Sequence, residues 1–299
     1  MSNQGIPVIA IASGKGGVGK TSISTNIGTA LAAQGLRTLL LDADLGLANV
    51  DVQLGLRTDK NIAGVVRGQW SLPEVLVEGP KGLKVAPASS GIKRMTELTA
   101  FEHAGIINAF GELAGEVDIM LVDTGAGIGD NVIVYARAAQ DVVVVVNDEP
   151  ASITDAYALI KVLHRDYQVE RFHILANRVE SEEHGEHLYK QLLKVLEKFL
   201  NLTPKFLGSV PEDRYLKKSI QAQRAVVEAF PVSKSARALK RMANDITKWK
   251  RPEGASGFLE FFVEQNAGGH SDDVTHINPA TNPDQAETQT QHAAMGGAR

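Results

Sequence analysis

The chain has 299 residues, 43% of them hydrophobic and 22% charged, with a formal net charge of −4, so an ordinary globular core is expected and no global pull toward nucleic acid or an anionic bilayer. It contains no cysteine, which excludes disulfides, thiolate nucleophiles and cysteine-held iron–sulfur clusters. No apolar run approaches the ~20 residues of a spanning helix, and residues 1–7 carry no basic stretch leading into an apolar core; a cytoplasmic protein with at most peripheral membrane contact is expected.

Residues 8–13 read as a buried strand. The run Gly14-Lys15-Gly16-Gly17-Val18-Gly19-Lys20-Thr21 follows, and a helix opens at Lys20 and continues over 20–34. Glycines at this spacing, between a strand and a helix, let backbone N–H groups curl round phosphate oxygens while the helix N-terminus supplies positive potential. The pattern is that of a P-loop, in which Lys20 reaches the β- and γ-phosphates, Thr21 holds Mg²⁺ and Ser22 contacts phosphate. Lys15 is an extra cation that the basic cradle does not need.

A second strand is expected over 38–44. It ends in Asp42-Ala43-Asp44, where a period of two sends both carboxylates to one side. Further strands read over 83–87, 119–124, 142–147, 172–177 and 206–210, and helices over 101–113, 152–167, 186–199 and 234–250. Several strands are continuous apolar runs, as in Leu39-Leu40-Leu41 and the valines from Val142 to Val146, which is how strands covered on both faces look. The alternation of strand and helix predicts an α/β fold: a doubly wound, mostly parallel sheet flanked by helices.

In such sheets the chemistry sits at the carboxyl ends of strands. Asp123 ends the strand over 119–124 and is the candidate metal carboxylate, directly or through water. The Thr124-Gly125-Ala126-Gly127 loop after it is placed to respond to a γ-phosphate. Asn177-Arg178 and Pro211-Glu212-Asp213 also stand at strand ends, where turn chemistry explains them as well as a ligand does. At the far end, Pro252 to Gly257 reads as a linker. Phe258, Leu259, Phe261, Phe262 and Val263 lie opposite Glu260 and Glu264 on a short amphipathic segment, 258–266. That segment suits either a membrane surface or the protein's own core. Residues 267–299 are too polar to fold and are expected to be disordered.

The run from Lys15 to Thr21 resembles the deviant Walker A motif of the MinD/ParA ATPases, over about residues 8–250. The resemblance implies one ATPase domain over 1–251, ATP/ADP and Mg²⁺ as cofactors, and a nucleotide-sandwich homodimer in which Lys15 reaches the partner's ATP. It further implies that Asp42 contacts the metal shell, that Asp44 directs the attacking water, and that Asn177, Arg178, Pro211, Glu212 and Asp213 form the adenine pocket. The stretches 42–51, 123–127, 149–157, 228–231 and 258–264 are similar to the flagellar-number regulators of this family, FlhG or FleN. Those proteins cycle between a cytosolic ADP or apo monomer and an ATP dimer on the inner membrane. The partners so implied are an FlhF-type GTPase, an FlrA/FleQ-type transcription regulator and flagellar switch components. Residues 1–7 lack the Asp-Gln-Ala-x-x-Leu-Arg segment that stimulates the GTPase in many members. A MinD-type role in division-site placement is the nearest alternative. A ParA-type partition role would need a basic face, toward which Lys217, Lys218 and the basic residues of 234–251 supply some charge, mostly on helical faces that solvation explains; direct nucleic-acid binding is not expected.

Overall fold

In the computed structural model, residues 6–45, 47–88, 98–250 and Phe261 are described. The strands are β1 (Val8–Ser13), β2 (Thr38–Ala43), β3 (Val77–Glu78), β4 (Lys84–Ala86), β5 (Ile119–Ala126), β6 (Asp141–Val146), β7 (Phe172–Val179) and β8 (Lys205–Pro211). They form one sheet in the order β3-β4-β2-β5-β1-β6-β7-β8, parallel throughout except for the short edge strand β3. The order reverses at β1, which pairs with β5 on one side and β6 on the other. That switch point opens a crevice beyond its carboxyl end, where ligands bind in sheets of this kind.

The helices are α1 (Lys20–Ala32), α2 (Val50–Leu54), α3 (Ile62–Val66), α4 (Leu72–Val75), α5 (Ala100–Ala109), α6 (Asp130–Arg137), α7 (Pro150–Tyr167), α8 (Glu182–Leu200), α9 (Arg214–Gln221), α10 (Val226–Ala229) and α11 (Lys234–Ile246). Alternate strand residues feed two layers. Val8, Ala10, Ala12, Leu39, Leu41, Val142 and Val144 face a core shared with α5 to α8, whereas Ile9, Ile11, Leu40, Val143 and Val145 face one shared with α1, α10 and α11. In α8 the leucines at 188, 192, 196 and 200 repeat every four residues and lie buried against the first layer. α1 is buried along almost its whole surface. Its hydroxyls are satisfied inward, Thr25 donating to the Thr21 carbonyl at 2.7 Å and Thr29 to the Thr25 carbonyl at 2.7 Å.

The expected elements are present with shifted ends. The last long helix stops at Ile246 rather than 250, because Trp249 turns back to stack on His173 with ring centroids 3.7 Å apart. His173 is itself bonded to the buried Asp141 at 2.8 Å. The helix expected over 101–113 tightens to a 3-10 turn from Phe110 to Leu113. The proposed linker 252–257 and tail 267–299 fall outside the described residues, as does the segment 258–266 apart from Phe261. Phe261 is buried, edge-on to Phe110 at 5.4 Å and stacked over Tyr135 at 6.5 Å.

Candidate nucleotide site

Two glycines of the loop are dictated by space and backbone. A Cβ at Gly14 would overlap the Asp155 carbonyl, and Gly19 holds φ at 100°, a left-handed value. Gly19 stands at the N-cap of α1 and offers no side-chain cap. The first N–H groups of the helix are therefore left for an anion.

The loop opens on a cavity of about 1090 Å³ whose lining includes Gly16, Gly17, Gly19, Lys20, Thr21 and Ser22 on one side and Asp44, Gly125 and Asn131 on the other. Lys20 is buried, and its ammonium donates to Ser13 Oγ at 3.0 Å. Burial lowers its pKa, against which Asp123 and Asp44 act to raise it. Lys15 sits differently. Its ammonium is ion-paired at the rim with Glu149, whose other oxygen accepts from Asn147 Nδ2 at 2.6 Å.

Asp42 and Asp123 are register partners on β2 and β5, and both are buried. Burial raises both carboxyl pKa values. For Asp42 the charge of Asp123 adds to the rise; for Asp123 the Thr21 hydroxyl and Lys20 oppose it. Among the described residues, Asp123 Oδ1 has no hydrogen-bond partner. A buried, raised carboxylate with a free acceptor beside the loop threonine has the donor set that a hard divalent cation needs.

The two carboxylates of 42–44 separate in role. β2 ends at Ala43, so Asp44 lies beyond the strand and the period of two does not carry to it. Asp44 lines the cavity. Asp42 turns inward: one oxygen accepts from the Asp44 N–H at 3.1 Å, the other from the N–H groups of Asn49 at 3.0 Å and Val50 at 3.1 Å. Asp42 thus braces the loop that carries Asp44, and about one of its lone-pair directions is left toward a metal shell.

Asn177, Arg178, Pro211, Glu212 and Asp213 come together as expected, around a cavity of about 280 Å³ that Gly19 and Ser22 also line. Asn177 Nδ2 donates to the Val18 carbonyl at 2.7 Å, which fixes the amide, and its buried Oδ1 has no partner among the described residues. Asp213 is committed elsewhere. Its oxygens accept from the Tyr215 N–H at 2.9 Å, capping α9, and from the Ser235 N–H at 3.0 Å and hydroxyl at 2.8 Å. Glu212 is exposed and paired with Lys217 at 2.5 Å. Sequence reasoning missed Gln53, Asn131, Ile220 and Gln223 on the walls. Gln53, Asn131 and Ile220 lie on the short helices α2, α6 and α9, and Gln223 lies in the turn after α9; single residues in such short stretches give no periodic signal.

The chain matches the model of the CobQ/CobB/MinD/ParA nucleotide binding domain over residues 9–226. It is 49% identical to the antiactivator FleN of Pseudomonas aeruginosa over 87% of this chain and 93% of that one. It is 33% identical to the flagellum site-determining protein YlxH of Helicobacter pylori, over 79% and 80%. The MinC:MinD cell division protein complex of Aquifex aeolicus contains a chain that superposes with a TM-score of 0.65 at 30% identity, covering 82% of this chain and 98% of that one.

Proposed function

The chain belongs to the CobQ/CobB/MinD/ParA nucleotide-binding family, on the branch that holds FleN, and from that premise we propose that it is an ATP-driven dimerising switch that sets flagellar number. The observation that carries this reading is the division of labour between the two loop lysines. Lys20 lies buried in the cavity, beside Asp123 and Asp44. Lys15 stands at the rim on a half-exposed carboxylate, where a facing subunit could take it. Delivered to a partner's phosphates, it would neutralise charge that develops during phosphoryl transfer, as an arginine finger does.

Within one subunit, α1's free N–H groups and Lys20 hold the triphosphate, and Thr21 and Asp123 are the residues that would hold Mg²⁺. The ion would supply charge neutralisation on the phosphates. Asp44, braced by Asp42, orients water toward the phosphate chain. The unpartnered Asn177 Oδ1 favours adenine, whose 6-amino group donates, over guanine, whose 6-oxygen only accepts. No described helix is long and apolar enough to cross a membrane, so membrane contact is assigned to 258–266, released from its Phe261 socket in the ATP dimer. The partners are those of the FleN branch: an FlhF-type GTPase, an FlrA/FleQ-type regulator and switch components.

Light scattering with Mg-ATP and Mg-ADP tests the switch: a dimer with ATP and a monomer with ADP are expected, and a monomer with both sinks it. A deletion strain tests the role. Excess flagella are expected; minicells with normal flagella select the MinD-type reading instead.

A further inference from the structure

Gln53 lies on α2, half-buried in the wall of the nucleotide cavity. Its amide spans the first turns of α1. Nε2 donates to Ser22 Oγ at 2.8 Å, and Oε1 shares the single Thr25 hydroxyl proton, at 3.1 Å, with the Thr21 carbonyl at 2.7 Å. We infer that Gln53 is a positioning residue that turns the Ser22 hydroxyl into a fixed hydrogen-bond donor for a nucleotide phosphate. A serine hydroxyl has one proton to give and lone pairs to receive with. When the Gln53 amide occupies a lone pair of Ser22, the proton is left for an acceptor in the cavity that both residues line. A freely rotating serine would have to give up that freedom on binding; this one is set beforehand.

The same contact ties two functional loops together. α2 begins at Val50, whose N–H is held by Asp42, and the loop between them carries Asp44. On its other side α2 is held by Gln223, which donates to the Val52 carbonyl at 3.0 Å. Gln53 therefore couples the segment behind Asp44 to the phosphate-binding end of α1, and the second tether keeps α2 in place when Gln53 is replaced.

This inference rests on the nucleotide reading above. Its test is a double-mutant cycle, with binding of a methylanthraniloyl-labelled ADP in Mg²⁺ as readout. Ser22→Ala should weaken binding about ten-fold, the loss of one hydrogen bond to a charged group. Gln53→Met should weaken it about five-fold, and the double variant should be no weaker than Ser22→Ala alone. Thr25→Val, which frees one side of the Gln53 amide and leaves the Gln223 tether of α2 in place, should show a smaller loss that also vanishes in the Ser22→Ala background. If Gln53→Met binds like the parent, or if its loss multiplies with that of Ser22→Ala, the inference is overturned. If the parent protein fails to bind the labelled ADP at all, the nucleotide reading falls first and takes the inference with it.

Discussion

Lys15 and Glu149 of one chain are ion-paired at the rim of the nucleotide cavity, with side chains 34% and 49% exposed. Lys15, and then Asn147, hold the Glu149 carboxyl below the usual carboxylate range. A pair this exposed is screened by solvent and adds little to stability, so it holds the lysine only weakly against a partner's phosphates. Lys15→Ala and Glu149→Gln should therefore leave the urea midpoint of the nucleotide-free protein close to that of the parent. Lys15→Ala should nonetheless keep nucleotide binding and lose the ATP dimer. A Lys15→Ala protein that still dimerises with ATP would falsify the trans role.

Asp44 lines the cavity and sits beside Gly125 of the loop after β5. If it orients water, its loss should slow turnover without loosening ATP. Asp44→Ala is expected to release phosphate about 100-fold more slowly and to hold the dimer on a sizing column long after the parent has dissociated. Normal turnover would move the water-directing role elsewhere.

The sheet and the loop were legible because each is written in a dense local pattern. Val142 to Val146 permits little but a strand covered on both sides, and the glycines before Lys20 permit little but a phosphate cradle. The site's walls were not. Gln53 and Asn131 lie on short helices, and nothing local distinguishes them from solvated residues. Asp213 shows another limit: it lines the smaller cavity, and its carboxylate also caps α9 and holds Ser235 of α11, which its position at a strand end did not reveal. Such tertiary capping joins residues 22 positions apart, beyond the reach of spacing. The separation of Asp42 from Asp44 was hidden for a simpler reason, since strand alternation stops where β2 stops.

Burial of Asp123 has a sign that can be measured. Its carboxyl pKa is raised in the folded, metal-free protein, mainly by desolvation. The folded state then holds a proton that the unfolded chain has already released, so stability contributed by this group falls as pH rises above about 4. Asp123→Asn removes the titration. The slope of stability against pH between roughly 5 and 8 should become less negative, by on the order of 1–2 kcal/mol over that span, and Mg²⁺ should no longer tighten ADP binding. Superimposable pH profiles for parent and variant would show that Asp123 is ionised throughout, and Mg²⁺ that still tightens ADP binding to the variant would move the metal assignment to another carboxylate.

Phe261 connects the site to the end of the chain. It is 3% exposed, resting on Tyr135 and Phe110. Tyr135 belongs to α6, which starts directly after the Gly125–Gly129 stretch and contributes Asn131 and Val132 to the cavity wall. A shift of that wall by a γ-phosphate therefore has less than two helical turns to travel before it reaches the phenylalanine's socket. Were Phe261 only a core residue, Phe261→Ala would lower stability, by up to about 3–5 kcal/mol for a buried ring, and leave membrane behaviour alone. If the ring exchanges its socket for a bilayer, two effects must appear together. Nucleotide-free protein should be cut faster by protease between 251 and 266, and the ATP dimer trapped by Asp44→Ala should bind anionic vesicles at least about ten-fold more weakly, as one aromatic side chain lost from the interface predicts. Vesicle sedimentation of the double variant decides between them: binding equal to that of Asp44→Ala alone assigns Phe261 to the core and moves the membrane contact elsewhere.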